Sequence, residues 1–203
     1  MSHSRNESLA AEKALRANAY KLLSECFQPP EVGLEALIEE AADEEFPVRI
    51  DPALIEDLRT LRVDHAKLFV GPFELLAPPY GSIYVDDAER VMTESTLAVE
   101  RRYRQEGLDV GLDEPADHVA AELEFVYYLV VKELEALADG DRETAADYRR
   151  KQRSFLETHL GVWMDEFAEN VEEHADTEFY RTVARETAAF VADERTRLAE
   201  ESV

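Results

Sequence analysis

The sequence predicts an all-α, single-domain helical bundle interrupted by one long, apolar, Pro-rich loop. Three observations predict it. Apolar residues recur at three- and four-residue spacing along most of the chain, and no segment shows convincing period-two alternation. Seven of the eight prolines fall at or before Pro79, leaving only Pro115 beyond, so the second half can run as long helices. At 203 residues and 45% hydrophobic, the chain can bury a core of its own, and neither an internal repeat nor a visible domain boundary divides it. The expected domain is 1–203, disordered over 1–8 and frayed over 196–203.

Taken in order, Leu15, Ala19, Leu22, Leu23, Cys26 and Phe27 mark a first helix that Pro29-Pro30 stops. A short helix follows around Val32, Leu34, Leu37, Ile38 and Ala41. Asp51-Pro52 reads as an N-cap with proline in the first turn, opening a helix with Leu54, Leu58, Leu61, His65, Leu68 and Phe69 on one stripe, closed by Gly71-Pro72. Gly71 to Asp87 reads as irregular. Leu97, Val99 and Tyr103 then suggest a modest helix ending at Gly107. The stretch Glu114–Asp139 is the strongest helix signal: Pro115 starts it, Val119, Glu122, Phe125 and Leu129 build its inner face, and Gly140 ends it. Asp141 caps another with Tyr148, Phe155, Leu156 and His159 inward, and Thr177 opens the last, carrying Phe179, Tyr180, Val183, Phe190 and Val191.

Charge narrows the function classes. Forty-six acids against 22 bases give a net charge of −24, which repels nucleic-acid backbones and excludes them as partners. The acids are spread along the chain, as in a surface adapted to a salty cytoplasm, although attraction of a cationic partner is the other reading. The longest apolar run, Phe125–Val131, is far short of a membrane span, and the N-terminus has no apolar signal region, so the expected location is cytoplasmic with no stable membrane insertion. A single cysteine, Cys26, on an apolar helical stripe, forms no intramolecular disulfide and reads as core.

Two constellations stand out. Gly71–Val85 carries one charged residue, Glu74, among Phe73, Leu75, Leu76, Tyr80, Ile83, Tyr84 and Val85, in a chain that is 33% charged. Ordinary loops are polar, so this one either plugs the bundle or meets a partner. Ala77-Pro78-Pro79 fixes an extended stretch suited to peptide recognition. The second is Asp117-His118 with Glu122. On a helix His118 and Glu122 share a face, and Asp117 sits in the first turn, where the dipole favours its charge. Capping with a surface partner, or a polar grip on a partner's cationic side chains, both fit. Neither the paired Glu-x-x-His of di-iron bundles nor H-E-x-x-H occurs, and there is no nucleophile elbow or Gly-rich phosphate loop. Neither an enzyme nor a cofactor is expected.

These blocks together resemble the TorD/DmsD/NarJ-like family of redox-enzyme maturation chaperones. The resemblance rests on Leu68-Phe69-Val-Gly71-Pro72, on Ala77-Pro78-Pro79-Tyr80-Gly-Ser82-Ile-Tyr84, and on Glu114-Pro115-Ala-Asp117-His118 with Glu122-Leu-Glu-Phe125. Weaker echoes are His159-Leu160 with Trp163 and Phe179-Tyr180 with Ala184. Tyr80 stands where the family often has tryptophan, and Phe73 where glycine is common. The resemblance implies a non-catalytic protein that binds the twin-arginine signal peptide, or another part, of a molybdopterin oxidoreductase precursor and holds it back until its cofactor is inserted. It implies a peptide site of Phe69, Pro78, Pro79, Tyr80, Ser82, Tyr84, Asp117, His118 and Glu122. Asp117, with Glu114 or Glu122, is then expected to grip a guanidinium. The alternative is a helical adaptor that binds a folded partner through the same loop, as a monomer or homodimer.

Overall fold

The computed structural model describes residues 2–43, 45–71, 75–86, 93–108 and 115–201. Among these residues the regular structure is helical, with nine α-helices and no strand. Helix α1 (Ser2–Cys26) starts inside the stretch expected to be disordered. Neither Pro nor Gly occurs in residues 2–26 to interrupt it. Its inner face, from Ala19 through Leu23 to Cys26, is buried, and the chain leaves it before Pro29. Helix α2 (Leu34–Glu40) buries Leu34 and Ile38.

The helix expected from Asp51 to Gly71 is three pieces. Asp51 caps only a 3-10 turn, Pro52–Leu54. The α-helix proper, α3 (Leu58–His65), has its own N-cap in Asp57, whose carboxylate accepts the Thr60 N–H at 2.8 Å. It then widens into a π turn over Ala66–Val70, closed by Gly71 at φ +42°. That turn places Leu68 and Phe69 in the core.

Helix α4 (Gly81–Val85) is a short helix inside the segment expected to be irregular. Helix α5 (Glu94–Gln105) is capped by Thr93 with Thr96 and turns off at Gly107, φ +74°. Helix α6 (Val119–Ala138) starts later than Pro115 suggested, because His118 is its N-cap. Helix α7 (Arg142–Thr158) opens on Asp141, as expected. It stops at His159, where the backbone leaves the helical region, and α8 (Leu160–His174) begins at once. The nearest breaker, Gly161, lies two residues past the break and inside α8, so the sequence does not mark His159 as a boundary. Helix α9 (Glu178–Glu200) opens on Thr177 and stays helical beyond 196, with Leu198 buried.

Helix α6 lies at the centre, packing on α1 and α7, while α8 packs chiefly on α9. One continuous apolar cluster joins them, with Trp163, Tyr20, Tyr180, Phe155, Phe167 and Phe179 among its largest members. Two buried glutamates are paired across helices. Glu133 (α6) meets Lys13 (α1) and Arg149 (α7), each at 2.8 Å. Glu194 (α9) takes Arg16 (α1) and Arg197.

Candidate functional site

The two constellations meet. Asp117-His118 and Pro79–Ser82 run antiparallel for one pair of residues. The Val119 N–H donates to the Pro79 carbonyl at 2.8 Å, and the Gly81 N–H donates to the Asp117 carbonyl at 2.9 Å. A third bond comes from the Ser82 N–H to Asp117 Oδ2 at 2.8 Å. The prolines make this possible: Pro78-Pro79 hold the chain extended and bring no N–H to satisfy. Farther back, the Ala77 N–H donates to the Leu68 carbonyl at 3.1 Å, which ties the loop to the π turn. From the other side, the Tyr103 hydroxyl of α5 donates to the Ala116 carbonyl at 2.9 Å. The loop is therefore both packed down and partly presented, so the two readings of it are not exclusive.

The nine expected site residues divide by exposure. Pro78, Tyr80, Tyr84 and His118 are half-buried and reach the surface; Phe69, Pro79, Ser82, Asp117 and Glu122 are buried. The Tyr80 and His118 rings meet edge to face at 5.4 Å. Tyr84 stacks on Trp163 of α8 at 5.4 Å and 17°, and its hydroxyl accepts a long bond from Asn170. Burial pushes the Tyr84 phenol up to about 12, keeping it a neutral aromatic face. Phe69 lies away from this surface, among Phe27, His65, Phe167 and Tyr180.

The expected grip of Asp117 and Glu122 on a guanidinium does not fit this arrangement. Each carboxylate is 1% exposed. Asp117 precedes the N-cap rather than lying in the first turn, and it spends one oxygen on the Ser82 amide. Glu122 points inward, where it accepts a hydrogen bond from the Trp163 indole N–H at 3.4 Å. Burial first, and the neighbouring Asp117 charge second, push the Glu122 carboxyl well above the usual range. Its helix begins at Val119 with part of the loop over its first turn, so spacing alone could not show that this face is covered. Glu114, the other expected partner, and Phe73 of the loop lie outside the described residues.

The site expected from the sequence leaves out two supporting residues. Gly81 lies so close to Trp163 that a Cβ would fall 2.7 Å from the indole nitrogen. Trp163 itself is buried between Tyr84 and Phe167. The signal was readable in the spacing of Leu160, Trp163, Met164, Phe167 and Val171, which is an inward helical stripe. A groove bounded by Leu22, Ile38, Val48 and Ile50 shares no residue with this site. Among the described residues no acid–histidine–cysteine group is arranged to hold a metal, and no helix is long and apolar enough to cross a membrane.

Comparison with known proteins places these features. Residues 34–169 match the family described as nitrate reductase delta subunit. The chaperone protein TorD of Vibrio parahaemolyticus is 30% identical over 132 residues, 64% of this chain and 60% of that protein. The Tat proofreading chaperone DmsD of Salmonella typhimurium is 28% identical over 121 residues, 59% of this chain and 52% of that protein. The chain thus spans between about half and six-tenths of these relatives. In three dimensions it is similar to a crystal structure from Archaeoglobus fulgidus described as a candidate redox enzyme maturation protein. The TM-score is 0.55 at 26% identity, covering 90% of this chain and 93% of that one.

Proposed function

This chain belongs to the nitrate reductase delta subunit family, the TorD/DmsD/NarJ-like redox-enzyme maturation chaperones, and from that premise we propose how it works. It is a chaperone without catalytic activity. It binds the twin-arginine leader of a molybdopterin oxidoreductase precursor in the cytoplasm and holds the precursor until its cofactor is inserted.

One observation carries the reading: a half-exposed strip of Pro78, Tyr80, Tyr84 and His118, pinned to the start of α6 by three hydrogen bonds. Rigid aromatic surface loses little entropy on binding and accepts the apolar segment of a leader. Arginine guanidinium groups stack on tyrosine faces, at about 0.5–2 kcal/mol each. The net charge of −24 draws a cationic leader toward the surface. Asp117, Ser82 and Glu122 support the strip from beneath rather than touch the peptide.

The test is binding of a labelled twin-arginine leader peptide. Tyr80→Ala and Tyr84→Ala should each weaken it severalfold to tenfold without unfolding the protein. Undiminished affinity in both variants would remove the peptide from this strip.

A further inference from the structure

Beneath the strip is a buried cluster of polar groups that do not balance. Asp117 Oδ2 takes the Ser82 N–H, but Asp117 Oδ1 and Ser82 Oγ are buried with no hydrogen-bond partner. Glu122 adds a second carboxyl, 1% exposed, which accepts the long bond from Trp163. The other buried acids are treated differently. Glu133 and Glu194 each have two basic partners, and Asp64 accepts two backbone N–H groups and a hydroxyl at the start of α9.

The surrounding elements bring no compensating cation among the described residues. Tyr103 of α5 has donated its proton to Ala116, and Tyr84 of α4 is a neutral phenol. His118 Nδ1 accepts the Ala120 N–H, which a doubly protonated ring cannot do. On α1, Lys21 is engaged with Glu25 and Glu124. On α8, Glu166 adds only negative charge near Tyr84. His159, at the α7–α8 junction, is brought down to about 4 by burial and Arg102, and so is uncharged at neutral pH. Two ionised carboxylates without a counter-charge do not persist in such a place.

We propose that Asp117 and Glu122 carry a single negative charge between them, with the proton on Glu122, and that this proton is the latch holding Pro79–Ser82 on the start of α6. Removing it puts two negative charges in the buried cluster, and lifting the segment is the relief, because water then reaches both. The proton is bound more tightly when the segment is docked. Docking is therefore complete below the ordinary glutamate range and is lost as pH rises through the docked Glu122 value.

The latch is tested in the whole protein at fixed, high ionic strength, without any client. Carboxyl carbon NMR follows Glu122, and hydrogen exchange follows the Gly81 and Ser82 amides, the two that donate to Asp117. Glu122 should show the shift of a neutral acid at pH 7. After correction for intrinsic exchange, amide protection should fall up to about tenfold per pH unit until Glu122 titrates. In Glu122→Gln the protection should not depend on pH. A Glu122 carboxyl already ionised at pH 6, as it would be if buried water served these groups, overturns the proposal. So does one shared pH profile for wild type and Glu122→Gln. If the variant does not fold, the wild-type carboxyl titration decides alone.

Discussion

Gly81 shows how a single residue sets the site. A methyl group there would meet the indole of Trp163 at 2.7 Å, and Trp163 is itself buried between Tyr84 and Phe167. The ring has nowhere to yield, so Gly81→Ala should cost about 1–3 kcal/mol, the usual range for overpacking. A lowered urea midpoint with an unchanged slope would report it; an unchanged midpoint would mean that the loop gives way instead. Residue by residue, the sequence was half legible. The aromatic and proline-rich character of Pro78–Tyr84 stood out because it contrasts with a heavily charged chain, and Asp117-His118 with Glu122 stood out as a dense acid–histidine group. Depth was not legible. Helical spacing tells which residues share a face, but not that a segment 35 residues earlier covers Asp117.

Among the elements, most helices follow from their punctuation: Asp141 and Thr177 open α7 and α9 as their side-chain chemistry predicts, and Gly107 closes α5. The failures share a cause. The α7–α8 break falls at His159, two residues before Gly161 rather than at it, and the π turn at Ala66–Val70 keeps an apolar stripe that reads as ordinary helix. Nor did the sequence show that Asp64 of α3 serves α9, where it accepts the N–H groups of Asp176 and Thr177 and the Thr177 hydroxyl. Asp64→Ala strands those donors and should cost about 1–3 kcal/mol. Chemical denaturation measures it, and a loss under about 0.5 kcal/mol would place the cap elsewhere. The ion pairs binding α1 to α6 and α9 give a pH signature. Burial alone would raise Glu133 and Glu194, but hydrogen bonds from Lys13 and Gln152, and from Arg16 and Arg197, bring both below the usual range. Their stabilising contribution is present above the ordinary glutamate range and is lost as pH falls through the lowered values. Glu133→Gln should therefore flatten the acid limb of the stability curve; an acid limb identical to wild type would contradict the assignment.

For the whole molecule, net charge outweighs any single contact. At −24 the folded chain repels itself, and low ionic strength leaves that repulsion unscreened over tens of ångströms. Raising salt from about 10 mM to about 1 M shortens the screening length from roughly 30 Å to 3 Å. The Tm should rise by several degrees over that range, and a flat or falling Tm would contradict salt adaptation of this surface. On the function proposed above, the same charge favours a cationic client, and the aromatic strip over the start of α6 is where that client would dock. Affinity for a twin-arginine leader is the decisive quantity, measured by titrating labelled peptide into wild type and Tyr80→Ala at matched salt. Wild type should bind saturably, and Tyr80→Ala should bind severalfold to tenfold more weakly with its folding unchanged. Equal affinity of the two proteins, or capture of the mature oxidoreductase with no binding of its leader, would contradict docking on this strip.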